Sequence, residues 1–361
     1  MSFEYLPRTH YMIGCMSGTS LDGIDLVYVK FVYDKSWTFE IMACHTHVYS
    51  EEWIGHLAQA IHLDPKALQE LDLRYTQYLG GVVRGFIASY GIVQLDAVSS
   101  HGHTIFHQPE KGITFQLGNL SLLAKEVGCD VICDFRVQDL ALGGQGAPLV
   151  PIGDVFLFDQ YRACLNLGGF SNLSLVDGKS ILAYDICAVN TVLNHFSQQL
   201  GLPYDDEGKL AREGKIILPL LNAFKKINFY NQPPPKSLGM EWVKREIFTL
   251  TDRYSDRTVS DLLHTYTFHI ADEMAKCMPL KGSVLVTGGG AYNTFLIEQL
   301  QERSSSKMVL PKREIIDFKE ALIFAFLGVL RKLGLVNCLS SVTGASRDHS
   351  SGKIFVSKFE K

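Results

Sequence analysis

Two stretches of this chain share one plan. Residues 12–32, MIGCMSGTSLDGIDLVYVKFV, and residues 163–176, ACLNLGGFSNLSLV, each pass from an apolar strand-forming run through a tip of glycine, hydroxyl and amide side chains into a second apolar run. Such a tip has little to bury and much to bind. The chain has 361 residues, too long for one comfortable core and suited to two domains of ~100 to 200 residues each. The echo therefore predicts two structurally duplicate halves with a cleft for a ligand.

The rest of the pattern fills in around these hairpins. Strands are expected over 11–16, 24–33 and 38–49 as an antiparallel meander, then helix from about 51 to 90, with Asp64 capping a helix that has Pro65 in its first turn. LDAVSSHG reads as a buried strand. The glycine- and proline-rich LALGGQGAPLVP reads as a loop crossing between domains, and NQPPPKSLG as a stiff loop in the second half. SVLVTGGGAYNTFLIEQL predicts a buried strand, a glycine turn and a helix. FKEALIFAFLGVLRKLGL predicts a strongly apolar helix, and KIFVSKF a last strand.

Composition excludes several classes of function. Apolar residues make up 47% and charged residues 20%, so the chain is neither disordered nor fibrous. The net charge of −4 is spread out, with no basic block to neutralise a phosphate backbone, which argues against nucleic acid as a partner. MSFEYLPRTH lacks a leader pattern and no run of 18 apolar residues occurs, so a cytoplasmic location away from membranes is expected. Eight cysteines (15, 44, 129, 133, 164, 187, 277 and 338) form no Cys-x-x-Cys and sit mostly in apolar segments, as reduced core residues do.

Within SGTSLDGID, glycine turns and hydroxyl donors suit phosphate oxygens, and Asp22 and Asp25 suit magnesium held through water. An ordinary hairpin turn fits the same residues. The P-loop pattern is missing, since Gly208 to Lys215 has one residue too many and is followed by Ile216; GGGAYN fails the dinucleotide fingerprint at Asn293. Asp185 is read as ending a strand before a helix, a place that points a carboxylate into a cleft, although a helix N-cap fits equally. Asp134, Arg136 and Asp139 form a second polar cluster, in which the arginine suits a substrate oxygen or a neighbouring aspartate. His101, His103 and His107 resemble metal spacing only superficially, with no matching frame nearby.

Taken in order, MSGTSLDGID, SHGHT, DFRVQDLALGGQGAPLVP, LNLGGFSNLS, YDICAVN, PPPKS, VTGGGAYN, the Glu320–Ala321 pair and SVTGA resemble the anhydro-N-acetylmuramic acid kinases of the sugar kinase, actin and Hsp70 superfamily, over nearly the whole chain. The resemblance implies an α/β, two-lobed actin-like ATPase fold with duplicated βββαβαβα-type domains around a nucleotide cleft. It implies one lobe of residues 1–130 plus 335–361 and another of residues 131–334. ATP and Mg2+ are the implied cofactors. The reaction implied is opening of a 1,6-anhydro sugar by water at C1 while the freed O6 takes the γ-phosphate. Asp185 matches the catalytic base. Gly18, Thr19, Ser20, Leu21, Asp22, Gly23, Ile24 and Asp25 match the first phosphate hairpin; Gly168, Gly169 and Asn172 the second; Gly288, Gly289, Gly290 and Asn293 the nucleoside turn. His103, Arg136 and Glu320 match positions facing the sugar, Asp22 and Asp25 the metal side, and a homodimer is implied.

The departures from the family pattern are Ile186, Cys187, Ala188 and Val189 after the catalytic aspartate, and His103 in place of the usual glutamine. They are expected to resize the sugar pocket and to leave the ATP site intact. A kinase for another anhydro sugar such as levoglucosan, or a silent sugar or ATP sensor, is the alternative reading.

Overall fold

The computed structural model describes residues 9–18, 20–177, 180–234 and 236–357. By its internal contacts the chain forms two compact units, the first running to Leu157 and resuming at Phe318, the second spanning Phe158–Asp317. Six strands precede the second unit: β1 Thr9–Ser17, β2 Gly23–Asp34, β3 Ser36–Val48, β4 Ala97–Gln108, β5 Ile113–Leu117 and β6 Val131–Cys133. The second unit holds β7 Ala163–Leu167, β8 Phe170–Asp177, β9 Ser180–Ala188, β10 Ser283–Thr287 and β11 Lys307–Val309, and β12 Lys353–Phe355 follows in the first.

The expected duplication is present in the sheets. The first is ordered β12-β6-β4-β1-β2-β3, with β5 paired to β4, and the second β11-β10-β7-β8-β9. Without β5 and β12, order and direction coincide. In each, three consecutive strands pair antiparallel, and the first of them continues through two parallel neighbours. Helices follow the third, fourth and fifth strands of each set, among them Pro65–Ser89, Leu122–Val127 and Val137–Ala141 in the first and Asn190–Gln198 and Thr294–Arg303 in the second. This is the βββαβαβα order twice over.

Local chemistry explains the elements. The Asp64 carboxylate accepts from the backbone N–H of Lys66 and Ala67 at 2.9 and 3.0 Å, capping Pro65–Ser89 as its sequence predicts. That helix sets Tyr75, Leu79 and Val83 against Ile13, Ile24 and Leu26 of the sheet. The opposite face of β2 presents Phe31, whose ring centroid lies 5.5 Å from that of Phe326 on the helix Arg313–Lys332. From Leu322 to Leu327 every residue of that helix is buried, as a helix apolar all round must be. One turn earlier, Lys319 donates to Asp154 at 2.8 Å, with both side chains buried.

The divisions expected at 130/131 and 334/335 move to 157/158 and 317/318. β6 pairs with β4 and β12, so residues 131–133 are interior to the first sheet. The LALGGQGAPLVP loop is likewise no crossing between domains. Gln145 N–H donates to Thr343 O at 2.8 Å and Gly146 N–H to the Asp139 carboxylate at 2.6 Å, which fix the loop within the first unit.

Candidate active site

The second unit gathers its expected residues at the carboxyl ends of its central strands, where open α/β sheets bind ligands. The Gly168–Gly169 tip between β7 and β8 directs its carbonyls at the start of the next helix: Gly169 O accepts from Val189 and Thr191 N–H, and Gly168 O from Asn190 N–H. Asn190 also donates through its side chain to Leu167 O at 3.1 Å. The tip is thus held as a rigid piece by Asn190–Gln198, whose first N–H groups it satisfies. The TGGG turn packs on the same strand end. A Cβ on Gly288, where φ is +82°, would stand 2.6 Å from Asn166 Oδ1 and 2.9 Å from the Leu167 carbonyl, so this glycine answers first to the protein's own backbone. Gly288→Ala is expected to cost ~1–3 kcal/mol of stability by overpacking, read as a lower urea midpoint. Gly289 is the more open member of the turn. Asn293 is mostly buried and its side-chain oxygen caps the helix Thr294–Arg303 by accepting from Leu296 N–H at 2.9 Å, a structural role that the sequence reading did not include.

Asp185 lies inside β9 and not at its end, and the following helix is capped at Val189. The helix-cap alternative is therefore overturned. Across the sheet Asn166, Asn172 and Asp185 stand in register on β7, β8 and β9, a polar row over an apolar core. The Asp185 N–H donates to Lys236 O, and its carboxylate accepts from Leu238 N–H at 2.9 Å. Burial raises its pKa, and the Leu238 hydrogen bond partly opposes this. Lys236 in turn donates to the carbonyls of Phe229 and Tyr230. The proline-rich segment is thus the brace behind the carboxylate.

Immediately after Asp185 the register slips: Asn172 faces Asp185 whereas Ser171 faces Cys187, so Ile186 is the extra residue of a β-bulge. Ile186, Cys187, Ala188 and Val189 are all within 1% of complete burial, in the core of the second unit. The expectation that they line and resize a sugar pocket meets four side chains that all lie in the core of the second unit.

In the first unit, the β1–β2 turn carries Gly18, Ser20, Leu21 and Asp22; Thr19 lies outside the described residues. Leu21 adopts φ +63° and its N–H reaches Gly18 O at 3.5 Å. Ser20 and Asp22 are exposed at the tip. Gly23 is fixed by β3, since a Cβ would strike the His47 carbonyl. Ile24 points wholly into the core, leaving only its backbone to face a ligand. Asp25 accepts from Thr46 Oγ1 at 2.6 Å, so Asp22 is the better-presented carboxylate of the pair.

His103 is buried beneath this turn, with Nδ1 2.8 Å from Ser17 Oγ, in a chain that continues to the Tyr49 and Tyr75 hydroxyls. The structure gives it a supporting place behind the turn. Burial pulls its pKa down to about 4, and buried His269 down to about 3. Both are neutral when folded and take up protons when unfolded near pH 6.5. The unfolded chain then binds more protons, so stability falls as pH drops from about 6.5 towards 4. His103→Gln, which keeps a side-chain partner for Ser17, is expected to flatten that fall in urea titrations across the range.

Arg136 donates from Nε to His101 Nε2 at 3.0 Å and from Nη1 to Gly146 O at 2.9 Å, pairing with neither neighbouring aspartate in these bonds. His101 Nδ1 lies 2.9 Å from Gly102 O, which fixes the tautomer that accepts from Arg136. Burial lowers the Arg136 pKa to about 10, against the pull of Glu320. Glu320 keeps solvent access, yet the protein crowded around its carboxyl raises its pKa, with Lys319 and Arg136 opposing. Arg136 and Glu320 thus belong to one charged group. Among the described residues the three histidines form no metal cluster.

The family model for anhydro-N-acetylmuramic acid kinase matches residues 10–357. The chain belongs to this family. It is 32% identical to an anhydro-N-acetylmuramic acid kinase of Sulfurimonas denitrificans, covering 96% of this chain and 100% of the relative, and 34% identical to one of Shewanella putrefaciens, covering 97% and 100%. Among solved structures it is similar to component A of the (R)-2-hydroxyglutaryl-CoA dehydratase of Acidaminococcus fermentans, with a TM-score of 0.45, 12% identity, and 88% and 96% of the two chains covered. As a member of the anhydro-N-acetylmuramic acid kinase family the protein is a phosphotransferase with an alcohol acceptor and uses ATP. No helix among the described residues is long and apolar enough to cross a membrane.

Sequence reading missed Asn166, and it named His101, Asn190 and the proline-rich segment without their roles as partner of Arg136, anchor of the glycine tip and brace of Asp185. One signal was available for Asn166, a lone amide in an otherwise apolar five-residue strand. The others act through pairings distant in sequence.

Proposed function

We propose that the protein converts 1,6-anhydro-N-acetylmuramic acid, ATP and water to N-acetylmuramic acid 6-phosphate and ADP, as a cytoplasmic, homodimeric enzyme of peptidoglycan recycling. Asp185 takes a proton from water as the water oxygen bonds to C1. The C1–O6 bond breaks, and O6 takes the γ-phosphoryl group as ADP departs. A carboxylate whose pKa is raised by burial is a stronger base in its ionised form, and the Leu238 N–H holds it in one orientation. That arrangement is the observation that carries the reading.

Backbone groups of the two glycine tips suit phosphate oxygens. The exposed oxygen donors of Asp22, with Asp25 behind, fit a hard cation such as Mg2+ held through water. When bound, that ion screens the negative charge of the phosphates. Arg136, oriented by His101 and Gly146 O, and Glu320 are assigned to the sugar hydroxyl and carboxylate groups. The core placement of Ile186–Val189 removes the main reason to prefer a different anhydro sugar.

The test is phosphorus NMR with ATP, Mg2+ and either 1,6-anhydro-N-acetylmuramic acid or levoglucosan in oxygen-18 water, with mass analysis of the product. A 6-phosphate of the first sugar labelled at C1 is expected. Product from levoglucosan alone would move the substrate, and unlabelled product would remove water attack.

A further inference from the structure

Three side chains in the first unit stand together outside the reaction just described. Asp139 lies on the helix Val137–Ala141, Cys338 just before the short helix Ser340–Thr343, and His349 beyond it. They are 0%, 2% and 6% exposed. Cys338 Sγ is 3.1 Å from Asp139 Oδ1, and His349 Nε2 is 3.5 Å from the same oxygen. One ligating atom from each residue lies within 4.8 Å of the other two. Thr343 Oγ1 also donates to that oxygen at 2.7 Å, while the second carboxylate oxygen accepts from Gly146 N–H.

Hydrogen bonding accounts for only part of this cluster. A thiol donating to a carboxylate explains Cys338. His349 Nδ1, 3.1 Å from Arg347 O, faces a carbonyl that can only accept, which places the ring proton on Nδ1. Nε2 is then a buried lone pair with no hydrogen-bond partner, beside an anionic oxygen. Leaving such a group unsatisfied is costly, and a cation between the two atoms resolves it.

We propose that Asp139, Cys338 and His349 bind a divalent cation of the zinc class. A tetrahedral zinc with bonds of about 2.3 Å to sulfur and about 2.0 Å to nitrogen and oxygen sets ligand atoms about 3.3 to 3.5 Å apart. The separations from Asp139 Oδ1, 3.1 Å to sulfur and 3.5 Å to nitrogen, stand close to these values, and sulfur and nitrogen lie within 4.8 Å of each other. Sulfur and imidazole select against magnesium and calcium. The backbone carbonyl on the second ring nitrogen is the partner that metal-bound histidines usually have. On binding, the Cys338 proton is released to solvent, so thiolate, carboxylate and dication make a neutral buried centre; Thr343 Oγ1 or a water takes the fourth position. The cation ties the loop that carries Gly146, and through its carbonyl Arg136, to the chain's last segments.

The test is elemental analysis of the full-length, untagged protein, exposed to zinc and then dialysed, alongside Cys338→Ser and His349→Ala, with circular dichroism to verify folding. The wild type is expected to retain about one zinc per chain and each variant close to none. Zinc-free wild type, or folded variants that keep as much zinc as wild type, would overturn the proposal and leave a His349–Asp139 ion pair in its place. Should the variants not fold, cobalt-loaded wild type decides. A thiolate-to-cobalt charge-transfer band supports the site, and its absence refutes it.

Discussion

Asp185→Asn is expected to lower turnover by at least ~100-fold, the scale of a lost general base, with ATP affinity nearly unchanged. The asparagine keeps an oxygen for Leu238 N–H and loses only the capacity to take a proton. Linkage supplies a control. The folded-state pKa of Asp185 is raised, so the folded chain holds its proton to higher pH than the unfolded chain does, and stability declines as pH rises through that interval. In its ionised form the carboxylate therefore opposes folding, and at pH above that interval the variant should be at least as resistant to urea as the wild type. Lost activity in a protein no less stable isolates the chemical role. Turnover of the wild type should also fall at low pH, as the raised pKa is crossed and the base is protonated. An Asp185→Asn enzyme with comparable turnover would remove Asp185 from the mechanism.

Lys319→Met is expected to destabilise the first unit by ~3–5 kcal/mol, because it leaves the Asp154 carboxylate charged and buried without its partner. The double variant Lys319→Met with Asp154→Leu should recover most of that loss, since a buried pair exchanged for apolar volume is often close to neutral. Urea titration followed by tryptophan fluorescence gives the comparison, with Trp37 and Trp53 reporting from the first unit. Equal losses in the single and double variants would show that the pair acts through packing and not through charge.

What was legible in the sequence was what short stretches of chain decide. The two hairpins, the Asp64 cap and the apolar helix around residues 322–327 follow from alternation, one capping side chain and an unbroken apolar surface. The unit boundary was not legible, because β6 belongs to the first unit through pairings with β4 and with β12 near the far end of the chain. Composition made the Gly144–Gly146 loop look like a linker; the bonds that anchor it come from Asp139 and Thr343. In the candidate site Asp185, Arg136 and the glycine tips were legible as residues, whereas their supports were not. Asn293 and His103 also make scaffold bonds, to Leu296 N–H and Ser17, that their sequence setting does not disclose, since a polar side chain near a ligand motif looks the same in sequence whether it faces outward or caps a helix.

The bulge at Ile186 makes the length of β9, as much as its composition, a determinant of the site. Side chains in a regular strand alternate, so one inserted residue lets the same strand offer a carboxylate at 185 and still deliver consecutive apolar residues to the interior afterwards. Deleting Ile186 would keep Asp185 opposite Asn172 and Cys187 opposite Ser171, and would remove the bulge together with one apolar side chain from the core. Along this segment, then, residue count sets how many successive apolar side chains reach the interior after the carboxylate.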